Sequence, residues 1–173
     1  MSIQAIAPKI QTKDQAQQTI AGWKSAGERI VFTNGCFDLL HYGHIQYLAD
    51  ARALGDRLIV GLNSSASVSR LKGPHRPIND EKTRAYVLAA LAVVDLVVIF
   101  DEPTPIHLVE SFSPDLLVKG GDWQPHQIVG SDWVMARGGD VRSLPYAAGY
   151  STTNIEQKII RDYLEGKDIE KSY

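Results

Sequence analysis

The chain has 173 residues, 44% of them apolar and 22% charged, with a formal net charge of −2. That length suits a single domain over 1–173 with a substantial core, the composition argues against disorder, and the slight acidity argues against nucleic acid as a partner. One cysteine, Cys36, excludes an intrachain disulfide and most thiolate-rich zinc sites and fits a reducing, cytoplasmic setting.

The start, "MSIQAIAPKIQTKDQ", lacks a basic region followed by an apolar core, so no secretion signal is expected. A helix is expected over 13–25, then the strand "RIVFT" at 29–33, a helix over 43–54 and the strand "RLIVGLN" at 57–63. A helix over 80–92 leads to "DLVVIF" at 95–100, a helix over 105–112 to "DLLVKG" at 115–120, and a helix over 127–137 to "DVRSL" at 140–144. A last helix over 152–164 puts Ile155, Ile159 and Tyr163 on one face, and a polar tail, "EGKDIEKSY", follows from about 165 and is expected to be loose. Gly55 reads as a helix stop, Thr104 with Pro105 as N-cap and first turn, and Thr153 with Glu156 as a capping-box spacing. The longest apolar stretch, "AYVLAALAVVDLVVIF", is short for a bilayer and is cut by Asp95, so no membrane span is expected. Strands apolar on both faces, alternating with helices, predict an α/β three-layer sandwich around a mostly parallel, five-stranded sheet.

The stretch "TNGCFDLLHYGHIQYL" carries the most chemistry. A strand ends near Thr33, Gly35 permits a tight turn, and a helix begins near Gly43 with Ile45, Leu48 and Ala49 facing inward. His44 then falls in the first helical turn, at the carboxyl end of the sheet, where free N–H groups and the helix dipole attract anions. His41 and His44 could donate hydrogen bonds to phosphate oxygens there. Gly43 between them would leave room for a ligand to approach the backbone. Three other readings stay open: a metal site of Asp38, His41 and His44; two histidines satisfied by backbone carbonyls; and a Cys36 nucleophile with His41 as its base.

"GCFDLLHYGHIQYL" resembles the H-x-G-H signature of the cytidylyltransferase-like nucleotidyltransferases, and "GYSTTNI" at 149–155 is similar to that superfamily's second signature, a Ser/Thr-rich turn opening a late helix. "LKGPHRPINDEKTRAYVLAALAVVD", "VVIFDEPTP" and "PDLLVKGGDW" resemble the adenylyltransferases of ADP-heptose synthesis, so the likeness runs from about 12 to about 164. It implies a Rossmann-like fold and transfer of AMP from ATP to D-glycero-D-manno-heptose 1-phosphate, giving ADP-heptose and pyrophosphate for the lipopolysaccharide core. It also implies bound Mg2+ held through the nucleotide phosphates, with no metal ligands from the protein, and a homodimer. With no room for a sugar kinase before the first strand, the free-standing form of the enzyme is expected.

Carried over by position, the resemblance makes His41, His44 and Lys72 catalytic. It sets Thr33, Asn34, Gly35, Cys36, Phe37 and Gly43 around the nucleotide, with the backbone at Cys36 and Phe37 near the α- to γ-phosphates. Ser151, Thr152 and Thr153 would donate to the outer phosphates. Lys119, Gly120 and Asp122 of "VKGGDW" would lie near the nucleoside or sugar phosphate, and Asp38 and Arg76 would touch the substrate. Two departures matter. The Arg-Thr-Glu-Gly stretch of the alcohol-phosphate cytidylyltransferases is replaced by "YAAG", which favours the adenylyl, sugar-phosphate branch. In "QPHQIVGSDWVMARGG", His126 stands where an acidic residue is expected, so this segment bears on sugar choice.

A phosphate monoester, with a second pKa of about 6, is already nucleophilic near pH 7, so no general base is required. The obstacle is repulsion between two polyanions, which positioning and local positive charge must overcome. Simpler readings remain beside this one: Lys72 as a solvated loop lysine, Thr153 and Glu156 as a capping box only, exposed His75, His107 and His126, and Trp123 and Trp133 as packing rather than stacking residues. Competing functions are a cytidylyltransferase of a small alcohol phosphate such as glycerol 3-phosphate, an adenylyltransferase of flavin or coenzyme A synthesis, a non-catalytic nucleotide-binding module, and a metal-binding protein.

Overall fold

The computed structural model describes residues 2–165, so the expected tail lies outside the described residues. In chain order come α1 (Ile3–Ile6), a 3-10 turn (Ala7–Lys9), β1 (Ile10–Gln11), α2 (Lys13–Ser25), β2 (Ile30–Gly35), α3 (Tyr42–Arg52) and β3 (Arg57–Asn63). They are followed by α4 (Ser65–Lys72), α5 (Glu81–Ala89), β4 (Leu96–Phe100), α6 (Ile106–Phe112), β5 (Leu116–Gly120), a 3-10 turn (Pro125–Gln127), α7 (Ser131–Met135), β6 (Asp140–Leu144) and α8 (Thr152–Leu164). The six strands form one parallel sheet in the order β1-β4-β3-β2-β5-β6.

Alternation along each strand divides the core in two. Ile30, Phe32, Ile59, Val98 and Leu117 pack with Ile20 of α2, Leu108 and Phe112 of α6, and Val134 of α7. Val31, Leu58, Val60, Val97, Leu116 and Val118 pack with Leu48 and Ala51 of α3 and Ala85 and Leu88 of α5. This is the expected α/β class and layering. No helix among the described residues is long and apolar enough to cross a membrane.

The sheet has six strands rather than the expected five. β1 is only two residues long, too short for any periodicity to register. It joins the edge of β4, where the Lys9 Nζ also donates to the carbonyls of Leu91 and Val94. Helix α4 was not expected either, because "SASVSRLK" carries few apolar residues. It is set by Ser64, whose hydroxyl accepts from the Ser67 N–H. Lys72 therefore ends a helix instead of lying in a loop.

The expected helix over 127–137 is shortened to α7, which starts only after Gly130; that glycine has φ +93° and packs so closely on Val109 that a Cβ there would meet it at 2.9 Å. Helix α3 stops at Arg52, before Gly55, and α6 starts after Pro105 with no side-chain cap from Thr104. The N-cap of α8 is Ser151, accepting from the Asn154 N–H, so Thr153 and Glu156 do not form the expected capping box. Helix α8 spans 152–164 as expected, and Ile159 and Tyr163 on it are exposed.

The sheet order reverses between β2 and β5: the chain goes outward through β3 and β4 on one side, and through β5 and β6 on the other. A crevice at the carboxyl ends of these two strands follows from that topology.

Candidate active site

Two hollows open at this crevice. The smaller, about 230 Å³, is lined by Asn34, Gly35, Cys36, Phe37, Asp38, His44, Tyr47, Lys72, Lys119, Tyr146 and Thr152. The larger, about 380 Å³, has walls from Leu71, Asn63, the 103–105 loop, Trp123 and the 127–129 segment. Asn34, Gly35, Cys36 and Lys119 border both, so the hollows join over the ends of β2 and β5.

His41 is the N-cap of α3 in extended conformation, and its carbonyl accepts from the N–H groups of His44 and Ile45. The two imidazoles stack with centroids 3.9 Å apart, and the Phe37 ring lies 5.5 Å from that of His44. Gly43 is needed for this arrangement, though for a different reason than expected. A Cβ there would meet the His41 ring at 3.1 Å and Tyr150 at 3.3 Å, so the space is filled by protein rather than left for a ligand. The inward face of α3 is Gly43, Tyr47, Leu48 and Ala51, whereas Ile45 points outward.

Burial lowers the His41 pKa, and burial, reinforced by His41 and Lys72, pushes that of His44 down to about 4. Both rings are therefore neutral near pH 7 and serve as hydrogen-bonding groups. The buried Nδ1 atoms of His41 and His44 have no hydrogen-bond partner among the described residues. Such orphaned atoms do not fit histidines satisfied by backbone carbonyls, and they suit a polar ligand.

Lys119 reaches from β5 to donate to Asn34 Oδ1 at 3.2 Å, and burial lowers its pKa. Thr152, in the first turn of α8, donates to the Leu39 carbonyl and lines the smaller hollow, with Lys72 exposed at its edge. The site thus gathers two lysines, a histidine and a helix N-terminus in a protein of net negative charge.

Asp38 borders the smaller hollow, but its carboxylate is taken up by the N–H groups of Ile78 and Asn79 and by Arg76 Nη1. Burial alone would raise its pKa. The two N–H bonds and Arg76 outweigh that and hold it below the ordinary value. Arg76 also pairs with Glu156 of α8. Asp38 and Arg76 thus tie the loop before α5 to both the turn after β2 and α8. A carboxylate so occupied has no free edge for a metal, which argues against the Asp38–His41–His44 site; among the described residues no cluster of three His, Cys, Asp or Glu has metal-binding geometry.

Of the other expected residues, Thr33 is buried and shares a hydrogen bond with Tyr47 Oη. Gly120 lies under the Tyr146 ring, where a Cβ would collide at 2.4 Å. Ser151 caps α8, Thr153 and Asp122 are exposed, and neither hollow is lined by any of these five. Trp123 keeps its Nε1–H on the Gly120 carbonyl and offers its ring to the larger hollow.

Sequence reading missed Asn63, Tyr47, Tyr146 and Arg84. Arg84 is 1% exposed and donates to the carbonyls of Cys36, Asn63 and Asn79. Its signal was present: it is the one charge on the inward Arg84-Ala85-Leu88 face of α5.

A sequence model of the family described as Cytidylyltransferase-like matches residues 32–158. Among similar proteins, "Bifunctional protein HldE" of Magnetococcus marinus is 56% identical over 151 residues, covering 87% of this chain and 31% of that protein. The protein of the same name from Pectobacterium carotovorum is 56% identical over 146 residues, covering 84% and 30%. The chain therefore spans about a third of the length of these relatives. A solved lipopolysaccharide core biosynthesis protein from Thermoplasma volcanium superimposes with a TM-score of 0.58 at 29% identity, covering 70% of this chain and 98% of that one. Pantoate-beta-alanine ligase from Francisella tularensis shares the fold at a TM-score of 0.56 and 15% identity, covering 95% and 81%.

Proposed function

The chain belongs to the cytidylyltransferase-like family of nucleotidyltransferases, and from that premise we propose that it transfers AMP from ATP to D-glycero-D-manno-heptose 1-phosphate, releasing pyrophosphate. The observation that carries this reading is the pair of joined hollows with Lys119 at their junction. The triphosphate would occupy the smaller hollow, beside His44, Lys72 and Thr152. The sugar phosphate would occupy the larger one, where Asn63, Thr104 and Gln127 match hydroxyl groups and Trp123 offers a ring face.

In the proposed reaction an oxygen of the sugar phosphate attacks the α-phosphorus, a new P–O bond forms, and the bond from the α-phosphorus to the bridging oxygen breaks as pyrophosphate leaves in line. The attacking dianion needs no base. Lys119 would hold the two phosphates together at the junction. His44 and Lys72 would donate to the transferring and leaving oxygens, an effect worth about 3–4 kcal/mol per well-aimed donor. Among the described residues Asp38 is the one carboxylate lining the smaller hollow, and it is already occupied, so the residues fit a magnesium ion carried by the nucleotide rather than by the protein. When bound, that ion would neutralise charge on the outer phosphates.

Because the donor is ATP, we place the reaction in the cytoplasm. A homodimer is proposed as well, supported by the exposed Ile159, Ile160, Tyr163 and Leu164 of α8, and size-exclusion chromatography with light scattering tests it. The test of the reaction is pyrophosphate release from ATP, CTP, GTP or UTP with magnesium and a panel of sugar and alcohol phosphates. ATP with heptose 1-phosphate is expected to be fastest. Preference for CTP with glycerol 3-phosphate would replace the reading by the alcohol-phosphate one, and release from no pair would leave a binding module.

A further inference from the structure

Among the described residues Arg84 is the largest of the fully buried side chains, and no carboxylate is hydrogen-bonded to it. Its Nη1 donates to the carbonyls of Cys36 and Asn63, both at 2.8 Å, and its Nε to that of Asn79 at 3.0 Å, while Nη2 has no acceptor among the described residues. A buried guanidinium is expensive, and a core at this position of α5 could be filled by leucine at less cost. What the arginine does that leucine cannot is hold three carbonyls in one fork. They come from the turn after β2, the end of β3 and the loop that clasps Asp38.

The Cys36–Phe37 peptide is trans, so its N–H points opposite to its C=O. With the Cys36 carbonyl drawn onto Arg84, the Phe37 N–H points away from that guanidinium, and Phe37 lines the smaller hollow. Phe37 has φ +45°, a left-handed conformation costly for a bulky side chain, and therefore one the surroundings must impose. Arg84 supplies part of that constraint; no carboxylate among the described residues is hydrogen-bonded to it, and Asp38, Glu81 and Asp80 act on its charge from farther off.

We propose that Arg84 is a positioning residue for the phosphate site: it fixes the Cys36–Phe37 peptide so that the Phe37 N–H donates to the triphosphate. The inference rests on the reading of the smaller hollow as the triphosphate site.

The test is calorimetric titration of inorganic tripolyphosphate and of ATP into the full chain and three variants, Arg84→Lys, Arg84→Gln and Leu88→Ala, with Tm measured on each. Leu88, one turn along the same buried face, serves as a control for lost packing. Both Arg84 variants are expected to bind tripolyphosphate about 10- to 100-fold more weakly, the worth of one hydrogen bond to a charged group. Leu88→Ala should lower Tm yet bind within about twofold of the parent. Parent-like binding by the Arg84 variants, or an equal loss in Leu88→Ala, would overturn the positioning role. An unmodified protein that binds neither ligand would remove the phosphate reading and this role together. If the Arg84 variants do not fold, the amide resonance of Phe37 in the unmodified protein decides: it should move downfield on adding tripolyphosphate, and an unmoved resonance rejects the proposal.

Discussion

Lys119 Nζ stands 3.2 Å from Asn34 Oδ1, and that bond spans β5 and β2 where the strand order reverses. A cation held inside the protein by a neutral amide is stabilised little by its partner. Burial disfavours its charged form, so Lys119 costs stability at neutral pH, as expected of a group kept for an anion that arrives later. Lys119→Met should leave Tm unchanged or raise it, while turnover drops about 100- to 1000-fold. Thermal melts beside pyrophosphate-release assays check this, and a large fall in Tm with turnover retained would contradict it.

His44 predicts a pH dependence of stability. Its native pKa of about 4 lies below the ordinary 6.5. Between those values the unfolded chain binds a proton that the native imidazole does not, so stability falls as pH drops from 6.5 to 4. Above 6.5 the ring is neutral in both states and contributes no pH dependence. Urea unfolding of His44→Gln at pH 7.5, 5.5 and 4.5 should show a shallower acid-side loss than the parent. The same variant should lose about 100- to 1000-fold in turnover.

Cys36 is the sole cysteine and borders both hollows, which makes it a built-in reporter. Its alkylation by iodoacetamide, followed by mass spectrometry, should slow when ATP and magnesium are present and slow further with the sugar phosphate. Cys36→Ser should keep most of its activity, because the reaction needs no thiol nucleophile. Loss of turnover by several orders of magnitude in that variant would restore the Cys36–His41 alternative.

The Asp38–Arg76–Glu156 link joins the turn after β2 to α8. Arg76→Met removes one charged partner from Asp38, whose side chain is 1% exposed, and should cost about 1.5–3 kcal/mol in denaturant unfolding. Since α8 carries Thr152 at the hollow, the KM for ATP should rise as well. An unchanged KM would show that the link holds the fold without serving the site.

Much of this was legible because the central strands β2 to β5 are largely buried on both faces and so appear as mainly apolar runs, and because α2 and α5 present buried apolar residues at helical spacing. β1 and α4 were not legible: one is too short to show a period, and the other is held by a serine cap and by packing of Val68 alone among its large apolar residues. At the site, residue identity pointed to His41, His44, Lys72 and Lys119, yet only three-dimensional packing reveals that His41 stacks behind His44. Distance in sequence concealed which of the remaining groups pair. Arg84 lies 48 residues from the Cys36 carbonyl it holds, and Arg76 is 38 from Asp38.

The most direct measurement is a crystal structure with magnesium and a non-hydrolysable ATP analogue, refined together with bound sugar phosphate. The α-phosphate should lie at the junction of the hollows within hydrogen-bond reach of His44 and Lys119, with the acceptor's phosphate on the other side of Lys119. A triphosphate bound away from His44, or an acceptor phosphate too far from the α-phosphorus for in-line attack, would contradict the account.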